Sequence, residues 1–312
     1  MSMQSLALGA SLALTTLLTA CGGGGGDSGP VPTPTPAPAP TPTPTPAPQA
    51  LAIDFVAKAG TAPVACGSEI AGLGSGNVAA QLQDLRFYVS SVALLDANDV
   101  ETPVTLSESA WQHDGAALID LEDGTGACAD GNAAMNSQLV GTVPPGNYTG
   151  IKFVVGLPAA QNHSNVATAP APLDVQAMAW SWTAGRLFTK IELADPQGAA
   201  GSWSSHAFFV HLGAGSCTGN PANNETVTCA RPNRMDWHSH SFDAATQQIV
   251  VDLKTLLATS DITVNGGGSP GCMSNPTDPE CPAIFDALKI DLASGLAIDG
   301  GHGQKLFRVE NK

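Results

Sequence analysis

The run DLRFYVSSVALLD at residues 84–96 decides the fold class. Phe87, Val89 and Ser91 alternate with Tyr88, Ser90 and Val92, the two-residue period of a strand. Similar short segments, rich in β-branched and aromatic residues, recur at 51–57, 117–121, 146–155, 187–193, 205–212, 247–252 and 287–292. Gly, Pro, Asn and Asp separate them, and Pro144-Pro145-Gly146-Asn147 is turn chemistry before Tyr148. Helical stretches are few: 252–257, and 282–288 after Pro279-Glu280-Cys281-Pro282. The pattern predicts an all-β, β-sandwich-like single domain with few short helices.

The chain begins with a short apolar run, MSMQSLALGASLALTTLLTA, that ends in Leu18-Thr19-Ala20-Cys21. This has the form of a lipoprotein signal at residues 1–20, cut before a Cys21 that becomes lipidated, although no Lys or Arg precedes the apolar run. Gly22 after the cysteine points to the periplasmic or cell-surface face of a bacterial membrane, on the outer-membrane side. Residues 21–50 continue as Gly22 to Gly26 and PVPTPTPAPAPTPTPTPAPQ. Alternating proline favours polyproline II, so about twenty such residues make a stalk of roughly 60 Å. The domain proper is expected over 51–312.

The net charge is −15, which argues against nucleic acid or anionic lipid surfaces as partners. There is no GxSxG or HExxH, and neither Gly22–Gly26 nor Gly266–Gly268 lies in a strand-to-helix context that would cradle phosphate. Asp120-Leu121-Glu122-Asp123-Gly124 lacks EF-hand spacing and reads as a turn. A non-enzymatic protein is therefore expected.

Besides Cys21 there are six cysteines. In an exported chain an even number reads as disulfides, and six allow fifteen pairings. The short loops make Cys217–Cys229 and Cys272–Cys281 natural pairs, which leaves Cys66 with Cys128.

The residues with most chemistry cluster between Gly156 and Cys217: His163, Met178, Trp180, Trp182, His206 and His211, in a chain with seven His and five Trp. Imidazole and thioether suit copper, Cu(I) above all. Met178, Trp180 and Trp182 would share one face of a strand, whereas His206 and His211 would face opposite ways. The bland readings are a core aromatic wall for the tryptophans and solvated or half-buried side chains for the histidines. A second candidate metal site is Trp237-His238-Ser239-His240, where His238 and His240 share a strand face.

Seven ordered elements carry a family resemblance: Leu85-Arg86-Phe87-Tyr88-Val89; Gly156-Leu157-Pro158 with Asn162-His163; Ala171-Pro172-Leu173; Met178-Ala179-Trp180-Ser181-Trp182; His211-Leu212-Gly213 with Cys217; Cys229 with Pro232-Asn233; and Gly271-Cys272-Met273 with Asp278-Pro279-Glu280-Cys281. Over about residues 51–290 the chain resembles the MbnP-like copper-binding proteins, the methanobactin-associated family also described as four-Cys-motif members of a metallo-mystery pair. The resemblance implies a secreted β-rich copper protein whose partner is a diheme cytochrome-c-peroxidase-like enzyme. That partner oxidises a tryptophan to kynurenine, which joins histidines in the copper site. Carried over by position, the site residues are His163, Trp180 or Trp182, and His211, with Cys217, Cys229, Cys272 and Cys281 as the four-Cys motif in disulfide form. The continuation Gly185-Arg186-Leu187-Phe188 departs from the aromatic or Lys-rich family pattern, and the segment from Trp237 to His240 has no family counterpart. Trp237 beside spaced histidines satisfies the same chemistry. The expected function is copper acquisition or storage. The competing expectation is a surface interaction or glycan-binding β-sandwich without metal.

Overall fold

The computed structural model describes residues 46–181, 183–223 and 225–312. The predicted leader 1–20, Cys21, the stalk as far as residue 45 and Trp182 lie outside the described residues. From Pro46 onward the chain forms one compact unit. No helix among the described residues is long and apolar enough to cross a membrane.

Two large sheets face each other. One has six strands, in the order Phe307–Asn311, Gln247–Asp252, Gln49–Ala59, Gln138–Val143 and Thr105–Leu106, with Ala62–Pro63 paired to Gln49–Ala59. Gln49–Ala59 and Gln247–Asp252 run parallel. The other sheet has ten strands around Val78–Leu95, which pairs along its length with Gly185–Ala194, Ala116–Asp120 and Gly150–Val155. Ala207–Gly213 extends this sheet beyond Gly185–Ala194, and Met235–Ser239 lies beside Gly150–Val155. A two-stranded hairpin, Gly215–Thr218 with Thr228–Arg231, stands apart. The architecture is therefore the expected disulfide-stapled all-β sandwich.

Aromatic rings fill the space between the sheets. Phe55 and Phe307 come from the six-stranded sheet, and Phe87, Phe153 and Trp237 from the ten-stranded one. Phe55 meets Phe87 and Phe153 edge-on, with ring centres 5.6 and 5.8 Å apart, and Trp237 lies 4.8 Å from Phe153. Edge-to-face and tilted contacts suit the ring quadrupoles.

The strict alternation expected at 84–96 does not appear as buried and exposed faces. Residues 84–90 are all buried, because the outer face of Val78–Leu95 is covered too. Tyr88 on that face donates from its hydroxyl to the Pro172 carbonyl, 2.8 Å away, tying down the segment that crosses over it. Ser91 has φ +53° where the pairing with Gly150–Val155 shifts register, as at a β-bulge.

Three expectations change. Residues 287–292 are not a strand: the helix Cys281–Leu288 runs into them and ends on Lys289 in the left-handed region. The terminal strand Phe307–Asn311 and the strand Gln138–Val143 carry weak sequence patterns, yet both complete the six-stranded sheet. Of the expected helix at 252–257, one turn forms, Leu253–Leu256, capped by the Asp252 carboxylate. Three disulfides join Cys66–Cys128, Cys217–Cys229 and Cys272–Cys281.

Candidate metal centre

The site is built on the outer face of the ten-stranded sheet. His163 caps the C-terminus of the short helix Ala159–Asn162, its N–H donating to the Ala159 carbonyl at 3.1 Å. Arg186 holds this turn from the sheet. It is fully buried, and its guanidinium donates to the carbonyls of Leu173, Gln161 and Asn162. Asn162, also buried, accepts from the Arg186 N–H at 2.8 Å. Gly185, at φ +84°, passes so close that a Cβ there would lie 2.6 Å from Asn162, so only glycine permits the approach.

His163 Nε2 lies 3.2 Å from Asn162 Nδ2 and 3.4 Å from Cys229 Sγ. Its Nδ1 is buried and has no hydrogen-bond partner. Burial, with the Arg186 guanidinium second, holds the imidazole below its ordinary pKa, so the ring is neutral at physiological pH. Asn162 Nδ2 can only donate, so Nε2 accepts from it and the ring proton sits on the unpartnered Nδ1; a metal bound at Nδ1 would displace that proton. The two sulfur atoms of Cys217 and Cys229 lie within 4.8 Å of the His163 ring nitrogen. They are joined to each other as a disulfide, so neither is a thiolate ligand.

A cavity of about 290 Å³ opens beside this ring, lined by Asn162, His163, Asn165, Gln176 and Trp180 among others. Trp180, on the short strand Ala179–Ser181, is partly exposed. Its ring approaches the end of the Ala207–Gly213 strand: a Cβ on Gly213 would meet it at 2.7 Å. Trp180 also walls a second cavity that includes Cys217, Arg231 and Met273.

His211 does not line the His163 cavity. It lies two residues from Gly213 on one strand, with its side chain on the face that Trp180 covers, about 7 Å along. Its Nε2 is 2.7 Å from the Glu192 carboxylate and its ring stacks on Phe209. Burial raises the Glu192 pKa, but hydrogen bonds from His211 and Lys190 outweigh it and hold the carboxylate below its usual range. Lys190 continues to Asp84, which pairs with Arg86. The outer face is thus a charged strip that ends at Trp180.

The structure therefore brings His163 and Trp180 to one cavity and sets His211 on the same sheet face as Trp180. Met178 does not share the tryptophan's face. It ends the 3-10 turn Gln176–Met178, before the strand begins, and is wholly buried in the core. Trp182 lies outside the described residues. His206 has φ +57° in the turn before its strand and is exposed. In the second candidate, His238 and His240 do share a face, with ring centres 5.0 Å apart. Trp237 points the other way, into the inter-sheet core beside Phe153 and Phe307, because neighbours on a strand face opposite sides. It is not part of that cluster. Arg186 is the residue that sequence reading missed. Its signal was the departure at 185–188, where an arginine stands directly before Leu187-Phe188.

A covered outer sheet face, a neutral imidazole with an unpartnered ring nitrogen and a tryptophan lining the same cavity define an all-β, disulfide-stapled protein with a single-histidine pocket. The MbnP family profile matches residues 48–274. The structure of MbnP from Methylosinus trichosporium is 38% identical, superposes with a TM-score of 0.76, and matches over 85% of this chain and 99% of that one. The chain belongs to the MbnP family. No curated protein matches it.

Proposed function

We propose that this chain is an exported, lipid-anchored copper-binding protein that acquires or stores copper and is not itself an enzyme. One observation carries the reading: His163, neutral and with its buried Nδ1 unpartnered, shares a cavity with Trp180. The residues fit copper. Imidazole is a good ligand for either oxidation state, and the amide oxygens of Asn162, Asn165 and Gln176 are hard, neutral donors that suit copper less well. His211 lies on the Trp180 face but outside this cavity and against Glu192, so His163 is the imidazole that the cavity offers a metal.

Indole itself is a poor ligand. Its oxidation supplies what is missing. Trp180 plus O₂, or plus two equivalents of peroxide with release of two waters, gives the ring-opened formyl amide by cleavage of the C2–C3 bond. Hydrolysis then releases C2 as formate and leaves kynurenine, with a ketone oxygen and an aryl amine. A diheme peroxidase-like partner is the class of enzyme that would deliver the oxidising equivalents. Between the candidate tryptophans, Trp180 is favoured over Trp237, whose ring is buried in the core.

Peptide mass spectrometry with copper quantification, on protein from its native host, tests this. Kynurenine at Trp180 with bound copper is the expected result. Unmodified tryptophans and no copper would leave a surface interaction or glycan-binding module on a stalk.

A further inference from the structure

We propose a second, independent cation site on the opposite part of the ten-stranded sheet, formed by His238, His240 and His302 and oriented by Asp99, for a borderline divalent transition cation of the zinc class. Three elements meet there. Met235–Ser239 supplies His238 on its outer face, and His240 follows with the same parity. The 3-10 turn Asp299–Gly301 delivers His302 from the far end of the chain. The turn between 96 and 100 supplies Asp99.

The meeting is built into the backbone. Gly301, at φ +80°, lies against Met235–Ser239 so closely that a Cβ would fall 1.9 Å from the Asp236 carbonyl oxygen. Gly150 makes a similar approach to Ser239 and His240 on the other side, where a Cβ would be 2.5 Å from the Ser239 carbonyl. No other residue type fits either contact, so the turn bearing His302 is held beside the two strand histidines.

His238 and His240 already have the ring spacing of two ligands on one ion, and His302 would have to swing in as the third. With zinc–nitrogen bonds of about 2.0–2.1 Å, two imidazoles on one tetrahedral ion have ring centres roughly 5 Å apart. His238 and His240 are 5.0 Å apart, and His238 and His302 are 6.4 Å apart. His302 is exposed, so a side-chain rotation closes the difference. His240 Nδ1 is 2.7 Å from the Asp99 carboxylate. That contact fixes the ring and leaves Nε2 as the ligand atom, the usual carboxylate–histidine arrangement around metals. Lys152 lies opposite His238 in the adjacent strand, but its ammonium pairs with Glu101 at 2.6 Å. Asp236 shares the outer face, so the local field favours a cation.

The test is equilibrium dialysis of untagged, chelator-stripped full chain against Zn²⁺, with Co²⁺ visible absorption as the spectroscopic check. Wild type should bind one zinc ion that His302→Ala loses by tenfold or more in affinity. Asp99→Asn should weaken it by about tenfold. His163→Ala should leave it unchanged, which separates this site from the copper pocket. Far-UV circular dichroism monitors folding, which exposed substitutions here should not alter. Equal zinc affinity in wild type and His302→Ala overturns the three-histidine site, as does loss of the zinc in His163→Ala alone.

Discussion

His163 carries two signs of ligand chemistry at once: a depressed basicity and an unsatisfied ring nitrogen. His163→Ala should abolish stoichiometric copper binding, measured by competition with a chromophoric chelator. The same pKa shift sets the pH window. A histidine held below its ordinary value stays neutral as the pH falls through 6.5, so copper should be retained there and released only at lower pH. Release beginning above 6.5 in a titration between pH 8 and 4 would contradict this. Asp120 makes a stability prediction of the opposite sense. Burial, with some help from Glu122 and against Arg86, pushes its carboxyl up to about 7. Its folded state holds a proton that the unfolded chain releases near pH 4, so its contribution is present at low pH and lost as the pH rises through about 7. Wild type should therefore lose more thermal stability between pH 5 and 8 than Asp120→Asn, read from melting curves. In the sequence, the family resemblance brings His163 together with Trp180 or Trp182 and with His211; the cavity holds His163 and Trp180 but not His211. The roles of Met178 and Arg186 are not legible in the sequence. They depend on where a strand starts and on which carbonyls a folded loop turns inward, and neither is encoded in residue spacing.

At the scale of elements, the site depends on contacts that tolerate no side chain. Gly185→Ala would force its methyl into Asn162 and displace the turn that carries His163. A loss of about 1–3 kcal/mol in urea unfolding is expected, with weaker copper binding even in the folded fraction. The disulfides differ in reach. Cys66–Cys128 spans 62 residues and Cys272–Cys281 spans 9. By loop entropy the first should contribute about 4 kcal/mol and the second about 3. Double Cys→Ala variants compared by denaturant midpoint test that order. The strands legible in advance are those with dense apolar runs, such as Gly185–Ala194 and Gln247–Asp252. Phe307–Asn311 was illegible because its residues FRVEN mix charge and apolar groups. It earns its place by pairing with Gln247–Asp252 and inserting Phe307 among the inter-sheet rings.

For the whole molecule, stability and chemistry are segregated by face. The inner faces meet through Phe55, Phe87, Phe153, Trp237 and Phe307, and Phe55→Ala should cost about 3–5 kcal/mol of unfolding free energy. The outer face carries the polar strip and the ligand pocket. A variant such as Phe55→Ala should therefore lower the denaturation midpoint while leaving the copper affinity of the folded protein within about twofold, a separation checked by titrating at low temperature.

The hairpin disulfide against His163 adds a link between location and competence. In a reducing cytosol the same two sulfurs are thiols beside the imidazole, and soft thiolates would capture Cu(I) in competition with the intended set. Once the bond closes under oxidising conditions, those donors are retired and a metal would meet the His163 imidazole alone on that side. The redox state of the surroundings thus sets the donor set of this pocket before any metal arrives.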